Sequence, residues 1–471
     1  MSIPVKAYTH SDIYVPVEGL PQEVIQELMV QLRLPNPKAV NLARMDKAAW
    51  GVPSHLNFYQ SVILPEVGHC LKIPRGADNL LDGTLLSNSY SLELEDWTNE
   101  GDTVQLHHNF SLRYYQEEAI ASTMDSERGG ILVSPPGSGK TVMGLGILSA
   151  IGRRAIWLTH VNELVDQAVS RIKDFFTDIQ EGDIGVIGGG KCTVGKKITV
   201  ATIQSLMREI PQELIDSTGV LVLDEAHHAP ANTFAAVVAK FPCRYRIGLT
   251  ATPRRYDGLT KAMFWAFGPQ LIHVSREELA EEGYILLPNL VIRDTGFYGE
   301  FLNDKRKPDY ATLMRSTIVD VRRNAQVLQQ LIPELDDQYS LIISGRKSHC
   351  TTLYDALVYE YPGASAEVLT SSVPKKKRRE IIQSIYDRKL RSIFATSIAE
   401  EGLDIPHLSR LHLVTPTRNP RMVSQAAGRV MRPASGKTDA IIYDYVDKSP
   451  IAINQFEDRK WIYAEECGIV V

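Results

Sequence analysis

A chain of 471 residues is too long for one ordinary core, so two or three domains are expected, each burying its own apolar interior. The formal charge of −5 excludes a uniformly basic coat for nucleic acid, and any grip on phosphates must come from local patches. No leader-like start and no apolar run of roughly eighteen residues occurs, which excludes secretion and membrane spanning as expectations and points to the cytoplasm.

Residues 1–105 open the chain with prolines at 16, 21, 35, 37 and 53 and acidic residues clustered from Glu93 to Asp102, a pattern expected of a small mixed α/β accessory domain. Its aromatic residues Trp50, Phe58, Tyr59 and Trp97 are candidates for stacking on bases, set against the commoner role of core packing. From Ile131 the chain alternates apolar β-branched runs with amphipathic helical patterns: ILVS (131–134), AIWLT (155–159), ITVATI (198–203), VLVLDE (220–225) and YRIGLT (245–250). The theme restarts with SLIIS (340–344), AEVLT (366–370), RSIFAT (391–396), RLHLVT (410–415) and AIIYDY (440–445). Continuous apolar strands alternating with helices predict parallel sheets covered on both faces. The fold expected is therefore α/β, with domains at 106–280 and 281–471 after the N-terminal one, the boundary falling between Phe267 and Asn289. Between Ser372 and Arg391 eight basic residues stand against two acids, a basic patch in an acidic chain. The cysteines (Cys70, Cys192, Cys243, Cys350, Cys467) form no CxxC pair, so neither zinc nor a disulfide framework is expected.

Ser134-Pro-Pro-Gly-Ser-Gly-Lys-Thr141 lies between a predicted strand and a predicted helix, the context of a phosphate-binding loop. Gly137 and Gly139 let backbone wrap a phosphate, and the helix start offers unpaired N–H groups with the positive end of its dipole. Lys140 is expected to reach the β- and γ-phosphates of ATP, Thr141 to hold Mg²⁺, and Pro136 and Ser138 to complete the cradle. Ser134 stands where the general pattern has glycine. Asp224 and Glu225 end an apolar strand, with Asp224 expected near Mg²⁺ and Glu225 as the group that orients and deprotonates water. The adjacent His227 and His228 are on a turn, which does not suit chelation of one zinc ion.

PPGSGKT, DEAHH, Thr250-Ala-Thr-Pro253, ATSIAEEGLDIP (395–406) and Gln425-Ala-Ala-Gly-Arg-Val-Met-Arg432 stand in the order and rough spacing of the superfamily 2 helicases, over about 340 residues. The chain resembles that family, and SREELAEEGYILLPNL with GGGK…ITVATIQSL is similar to the phage UvsW, XPB and RecG-like remodelling helicases. The resemblance implies two tandem RecA-like domains that hydrolyse ATP with Mg²⁺. It implies catalytic roles for Gln425, Arg429 and Arg432, whose spacing predicts one shared helical face. It further implies an adenine-side element at Arg113 and Gln116, cleft residues Gly402 and Asp404, and coupling through His227, Thr250 and Thr252. Nucleic-acid contacts are implied at Thr159, Gly189, Gly190, Thr202, Gln204, Ser344, Arg346 and Thr396, with His160 departing from the usual small residue. The function it implies is a monomeric DNA helicase or translocase of a bacterial or phage-infected cell, acting on forks and Holliday junctions, with the N-terminal domain choosing the substrate. An RNA helicase, a duplex-DNA translocase subunit of a restriction system, and an ATP-switched nucleic-acid binding protein are the alternatives.

Overall fold

The computed structural model describes residues 2–44, 50–228, 231–255, 257–302, 306–396, 405–417 and 420–469. Gly402 and Asp404 lie outside the described residues. The chain divides into two compact units, Met1–Ser134 with Gly139–His273, and Val274–Val471 with Pro135–Ser138.

The first unit holds two sheets and a short ribbon. β1 (Ile3–Thr9), β2 (Ile13–Pro16), β5 (Gln60–Leu64), β6 (Gly68–Ile73) and β7 (Tyr90–Asp96) form a mixed sheet in the order β5-β6-β2-β1-β7, while β3 (Arg33–Pro35) and β4 (His55–Asn57) pair apart from it. β8 (Gly129–Val133), β9 (Ala155–Thr159), β10 (Ile184–Gly188), β11 (Lys191–Cys192), β12 (Ile198–Thr202), β13 (Val220–Leu223), β14 (Tyr245–Thr250) and β15 (Gln270–His273) form the second sheet, in the order β11-β10-β12-β9-β13-β14-β8-β15. Every pairing in it is parallel except the β10–β11 hairpin. β8, β9, β12 and β13 are buried at every residue, which is why they read as unbroken apolar runs rather than alternating ones. The hairpin turn is Gly189-Gly190, both at positive φ (58° and 84°), a two-residue geometry that glycine adopts without strain.

One continuous apolar core runs through both sheets of this unit, from Ala7 and Leu28 to Phe234 and Phe267. Arg75, 5% exposed, ties the N-terminal sheet to the second: its guanidinium donates to the carbonyls of Cys243 (2.6 Å), Arg128 (3.2 Å) and Arg244. Burial pushes its pKa down to about 9, so its charge is held by carbonyl dipoles rather than by a carboxylate.

In the second unit β16 (Asn289–Asp294), β17 (Ser340–Ile343), β18 (Ala366–Leu369), β19 (Ser392–Ala395), β20 (Arg410–Leu413) and β21 (Ile441–Val446) make an all-parallel sheet in the order β16-β21-β20-β17-β19-β18. Both α/β sheets thus have the doubly covered parallel architecture of RecA-like domains, and a mixed N-terminal sheet accompanies them. Two buried ion pairs brace the second, Arg323 with Asp447 (2.8 Å) and Arg459 with Asp444 (2.7 Å). No described helix is long and apolar enough to cross a membrane.

Candidate active site

Neighbouring strands β13, β14 and β8 deliver three loops to one edge of the sheet: Asp224-Glu225 after β13, Thr250-Ala-Thr252 after β14 and the loop from Ser134 after β8. Ser134 N donates to Thr250 O at 2.9 Å and Asp224 N to Leu158 O at 3.0 Å, so the loops start in register with the sheet. This is the carboxyl edge, where open α/β sheets bind ligands.

The loop turns at Gly137 (φ 86°) and Gly139 (φ 87°) into the helix Lys140–Ile151. The amides that open this helix have no acceptor one turn earlier within it. Lys140 is 9% exposed, with Nζ at 3.3 Å from Ser134 O and 3.7 Å from Glu225 Oε1. Ser138 Oγ donates to Pro135 O at 2.7 Å and fixes the loop from within. Thr141 is half-buried in the first turn.

Glu225 stands at φ 51°, a left-handed conformation that costs a non-glycine residue about 1 kcal/mol and is characteristic of functional sites. That backbone holds Oε1 towards Lys140 and Oε2 at 3.6 Å from His227 Nδ1. Asp224 Oδ1 accepts from Glu225 N at 3.0 Å. Burial and the neighbouring Glu225 carboxylate raise the Asp224 pKa, with Lys140 opposing. Two close carboxylates with one lysine leave negative charge that a divalent cation would neutralise. With the glycine-shaped loop, these groups fit ATP and Mg²⁺.

A buried relay leads away from Glu225. His227 Nδ1 lies 2.8 Å from Thr250 Oγ1, which donates to Thr252 O at 2.8 Å. The Thr250 hydroxyl has one proton, so with that proton on the Thr252 carbonyl the imidazole must donate through Nδ1–H. His227, Thr250 and Thr252 are 6%, 0% and 0% exposed, so this chain is sealed from water.

Gln116, in the helix Tyr114–Asp125, is 4% exposed and accepts from Arg113 N at 3.0 Å through Oε1. Its Nε2 faces the loop so closely that a Cβ on Gly139 would lie 2.8 Å from it. The structure thus brings the adenine-side candidate against the phosphate loop, and Arg113 Nη1 turns to Tyr115 OH at 2.9 Å.

Arg255 was not anticipated from the sequence. Its guanidinium makes a bidentate pair with Asp257 (3.0 and 2.6 Å) and donates to Ala226 O at 3.1 Å, fastening the segment after Thr252 to the one after Glu225. The available signal was the basic pair Arg254-Arg255 with an acid two residues on.

The other candidates divide. Gly189 and Gly190 are exposed, as are Gln204 and Arg346, and Thr396 is half-buried. Gln204 Nε2 donates to His160 O at 2.8 Å. Thr159, Thr202 and Ser344 are buried, at 0%, 2% and 0% exposure, with their hydroxyls engaged inside the protein. Thr159 donates to Val161 O (3.1 Å), Thr202 caps a helix by accepting from Ser205 N (3.2 Å), and Ser344 meets His349 Nδ1 at 3.0 Å. Burial pushes His349 down to about 3, and its Nε2–H donates to Asn324 Oδ1 at 3.0 Å, so Nδ1 accepts the Ser344 proton.

Gln425 and Arg429 lie one turn apart on the helix Pro420–Val430, whose Val423, Ala426, Ala427 and Val430 enter the core. The shared helical face expected for Arg429 and Arg432 is corrected: the helix stops at Val430 and Arg432 follows in a turn. Pro433 disfavours helical backbone at the residue before it, and Arg432 N reaches Arg429 O at 3.4 Å instead. Lys437 Nζ holds this turn by donating to the carbonyls of Val430 and Arg432, both at 2.6 Å.

Residues 109–255 match the family described as type III restriction enzyme, res subunit, and residues 323–434 match the helicase conserved C-terminal domain. A putative ATP-dependent RNA helicase of Acanthamoeba polyphaga mimivirus is 28% identical over 412 residues, covering 81% of this chain and 72% of that protein. The DNA 3'-5' translocase XPB2 of Sulfurisphaera tokodaii is 27% identical over 371 residues, covering 72% and 82% respectively. In shape, an ATP-dependent Type ISP restriction-modification enzyme bound to DNA aligns with a TM-score of 0.56 at 14% identity, over 76% of this chain and 30% of that one. Two helicase domains follow one another along a chain whose ordered motifs are those of one superfamily, and its relatives include the XPB type: the chain belongs to the superfamily 2 helicases.

Proposed function

We propose that this helicase is an ATP-driven motor on DNA, acting on branched substrates such as forks and Holliday junctions in replication, recombination or repair. The observation that carries the motor reading is the sealed relay from Glu225 through His227 and Thr250 to Thr252. It gives the residue beside the phosphates a mechanical connection to a second loop at the same sheet edge.

In this reading Lys140 and the loop 136–141 bind the phosphates, and Gln116 and Arg113 lie on the adenine side. Thr141 and Asp224 would hold Mg²⁺, which when bound would supply Lewis-acid neutralisation of phosphate charge. Glu225 orients the attacking water and accepts its proton, and its Nζ and imidazole neighbours keep the carboxylate aimed. Arg429 and Arg432 offset charge developing on the transferring group, and Gln425 positions. His227 reports the state of Glu225 to Thr250 and Thr252. Gly189, Gly190, Gln204, Arg346 and Thr396 track the strand, and the buried Thr159, Thr202 and Ser344 shape the loops that carry them.

DNA is supported by the translocase relative, and the restriction-enzyme likenesses support travel on duplex as a variant of the same reading. The RNA reading is favoured by the name of the mimiviral relative. Retention of Glu225, Arg429 and Arg432 argues against a non-hydrolysing switch. Residues 1–105 select the branch in this proposal. Trp50 is 91% exposed and available to stack, whereas Trp97 leans on Tyr8 (4.3 Å) and Phe58 on Trp265 (5.4 Å).

The test is the ATPase rate without nucleic acid and with single-stranded DNA, forked DNA, a Holliday junction and RNA. Strongest stimulation by branched DNA is expected. Stimulation by RNA alone moves the protein to RNA, and no stimulation by any of them sinks the motor.

A further inference from the structure

The basic segment 372–391 is not absorbed by the motor reading. It forms the helix Lys375–Tyr386, with Lys376, Lys377 and Arg379 exposed, and it runs from the carboxyl end of β18 to the amino end of β19. There the chain enters a cleft of about 260 Å³ lined by Tyr339, Arg388, Arg391, His407 and Lys437, with Asp337 the one acid among the described residues that line it. Tyr339, Arg391 and Ser409 immediately precede the parallel strands β17, β19 and β20, so the cleft lies at their amino ends. Ser344 and Thr396 follow β17 and β19 at the opposite edge.

The two arginines here are short of counter-charge. Arg388 donates to Ser435 O at 3.2 Å and Arg391 lies 4.8 Å over the Tyr339 ring; among the described residues neither guanidinium has a carboxylate partner. Burial, with Arg432 and Arg410, pushes the Lys437 amine down to about 7 against the pull of Asp439, and burial with Arg388, Lys437 and Arg391 lowers His407 against a backbone hydrogen bond at Ile385. His407, 7% exposed, has a buried Nε2 with no hydrogen-bond partner among the described residues. Arginine forks match tetrahedral oxyanions bidentately, and a cleft of this size admits a phosphate with its sugar.

We propose that this cleft, between Arg388, Arg391 and His407 at the amino edge of the second unit's sheet, is a phosphate-binding site separate from the nucleotide loop, fed by the basic helix beside it. The phosphate belongs either to a nucleic-acid backbone or to a free anion. The site does not depend on the motor reading, because phosphate binding is measured without turnover.

The test uses the full chain with Arg388→Gln/Arg391→Gln and the charge-conserving Arg388→Lys/Arg391→Lys. Anisotropy of a labelled single-stranded oligonucleotide is followed over a salt series. Phosphorus NMR line width of inorganic phosphate is measured in a Lys140→Ala background, which silences the nucleotide loop. For a backbone phosphate, the glutamine pair lowers the slope of log K against log salt by about 1.4, from about 0.7 for each of two contacts, and the lysine pair keeps it. Loss of phosphate broadening with an unchanged oligonucleotide slope assigns the site to free phosphate. Unchanged slope and unchanged broadening overturn the proposal. Arg388→Gln alone, at an exposed position, repeats both measurements should the glutamine pair lower the melting temperature.

Discussion

The two parallel sheets present their carboxyl edges differently. The first edge concentrates charge: Lys140, Asp224, Glu225 and His227 lie within one buried network, and Glu225 is held in a strained conformation. At the second, the loops after β17 and β19 carry Ser344 and Thr396; Ser344, His349 and Asn324 form a neutral hydrogen-bonded chain, and the charges of Arg323 and Asp447 cancel in a buried pair. The same architecture therefore carries interacting charge at one edge and internally paired groups at the other. What separates them is which side chains the strand ends carry, not how the strands pair.

That contrast breaks first at the arginines. If charge for the reaction is also drawn from the second unit, Arg432→Ala lowers ATP turnover by about 10³-fold or more while nucleotide binding, followed by a fluorescent analogue, persists. Turnover within tenfold of wild type would confine the chemistry to the first sheet. Glu225→Gln is expected to slow turnover by about 10²–10⁴-fold with binding intact, and wild-type turnover would remove it as the base.

The relay is tested more gently. Thr250→Val keeps the shape and deletes the hydroxyl between His227 and Thr252. Basal turnover is expected to survive, while stimulation by DNA falls about tenfold, within the usual 5–150-fold span of intersite coupling. Equal loss of basal and stimulated rates would make Thr250 a structural residue only.

The smallest effect sharpens the neutral side of the comparison. His349 has its pKa lowered from 6.5 to about 3 by burial, so its neutral form stabilises the fold above the unfolded value. That stability should drain away as pH falls from about 6.5 towards about 3, and His349→Gln should flatten this part of the melting-temperature profile. An unchanged profile would place the titration elsewhere.

The core strands of both α/β sheets were legible because burial on both faces leaves unbroken runs such as VLVL and AIWLT. The N-terminal strands were not, since β5 and β7 are half-exposed and irregular in polarity; nor was β11 in the second sheet, which is two residues long. The phosphate loop and the Asp224-Glu225 pair were legible because local spacing carries them. The Arg255 brace, the approach of Gln116 to Gly139 and the inward hydroxyls of Thr159, Thr202 and Ser344 depend on which loops the sheet order makes neighbours, and no spacing encodes that. The end of the helix at Val430 was written in Pro433, though motif spacing outweighed it.

Arg75 sits where a module boundary would be drawn, and it is a keystone rather than a hinge. Removing the N-terminal sheet would leave the carbonyls of Cys243, Arg128 and Arg244 without their donor and open the apolar core that both sheets share. Arg75→Ala should itself cost about 2–4 kcal/mol in denaturant unfolding, and a loss under about 0.5 kcal/mol would mean the junction is loose. A joint built this way makes the N-terminal sheet part of the first unit's fold rather than a detachable cassette. Surface positions such as Trp50 can be changed without touching that joint, whereas a change there is felt by both sheets at once.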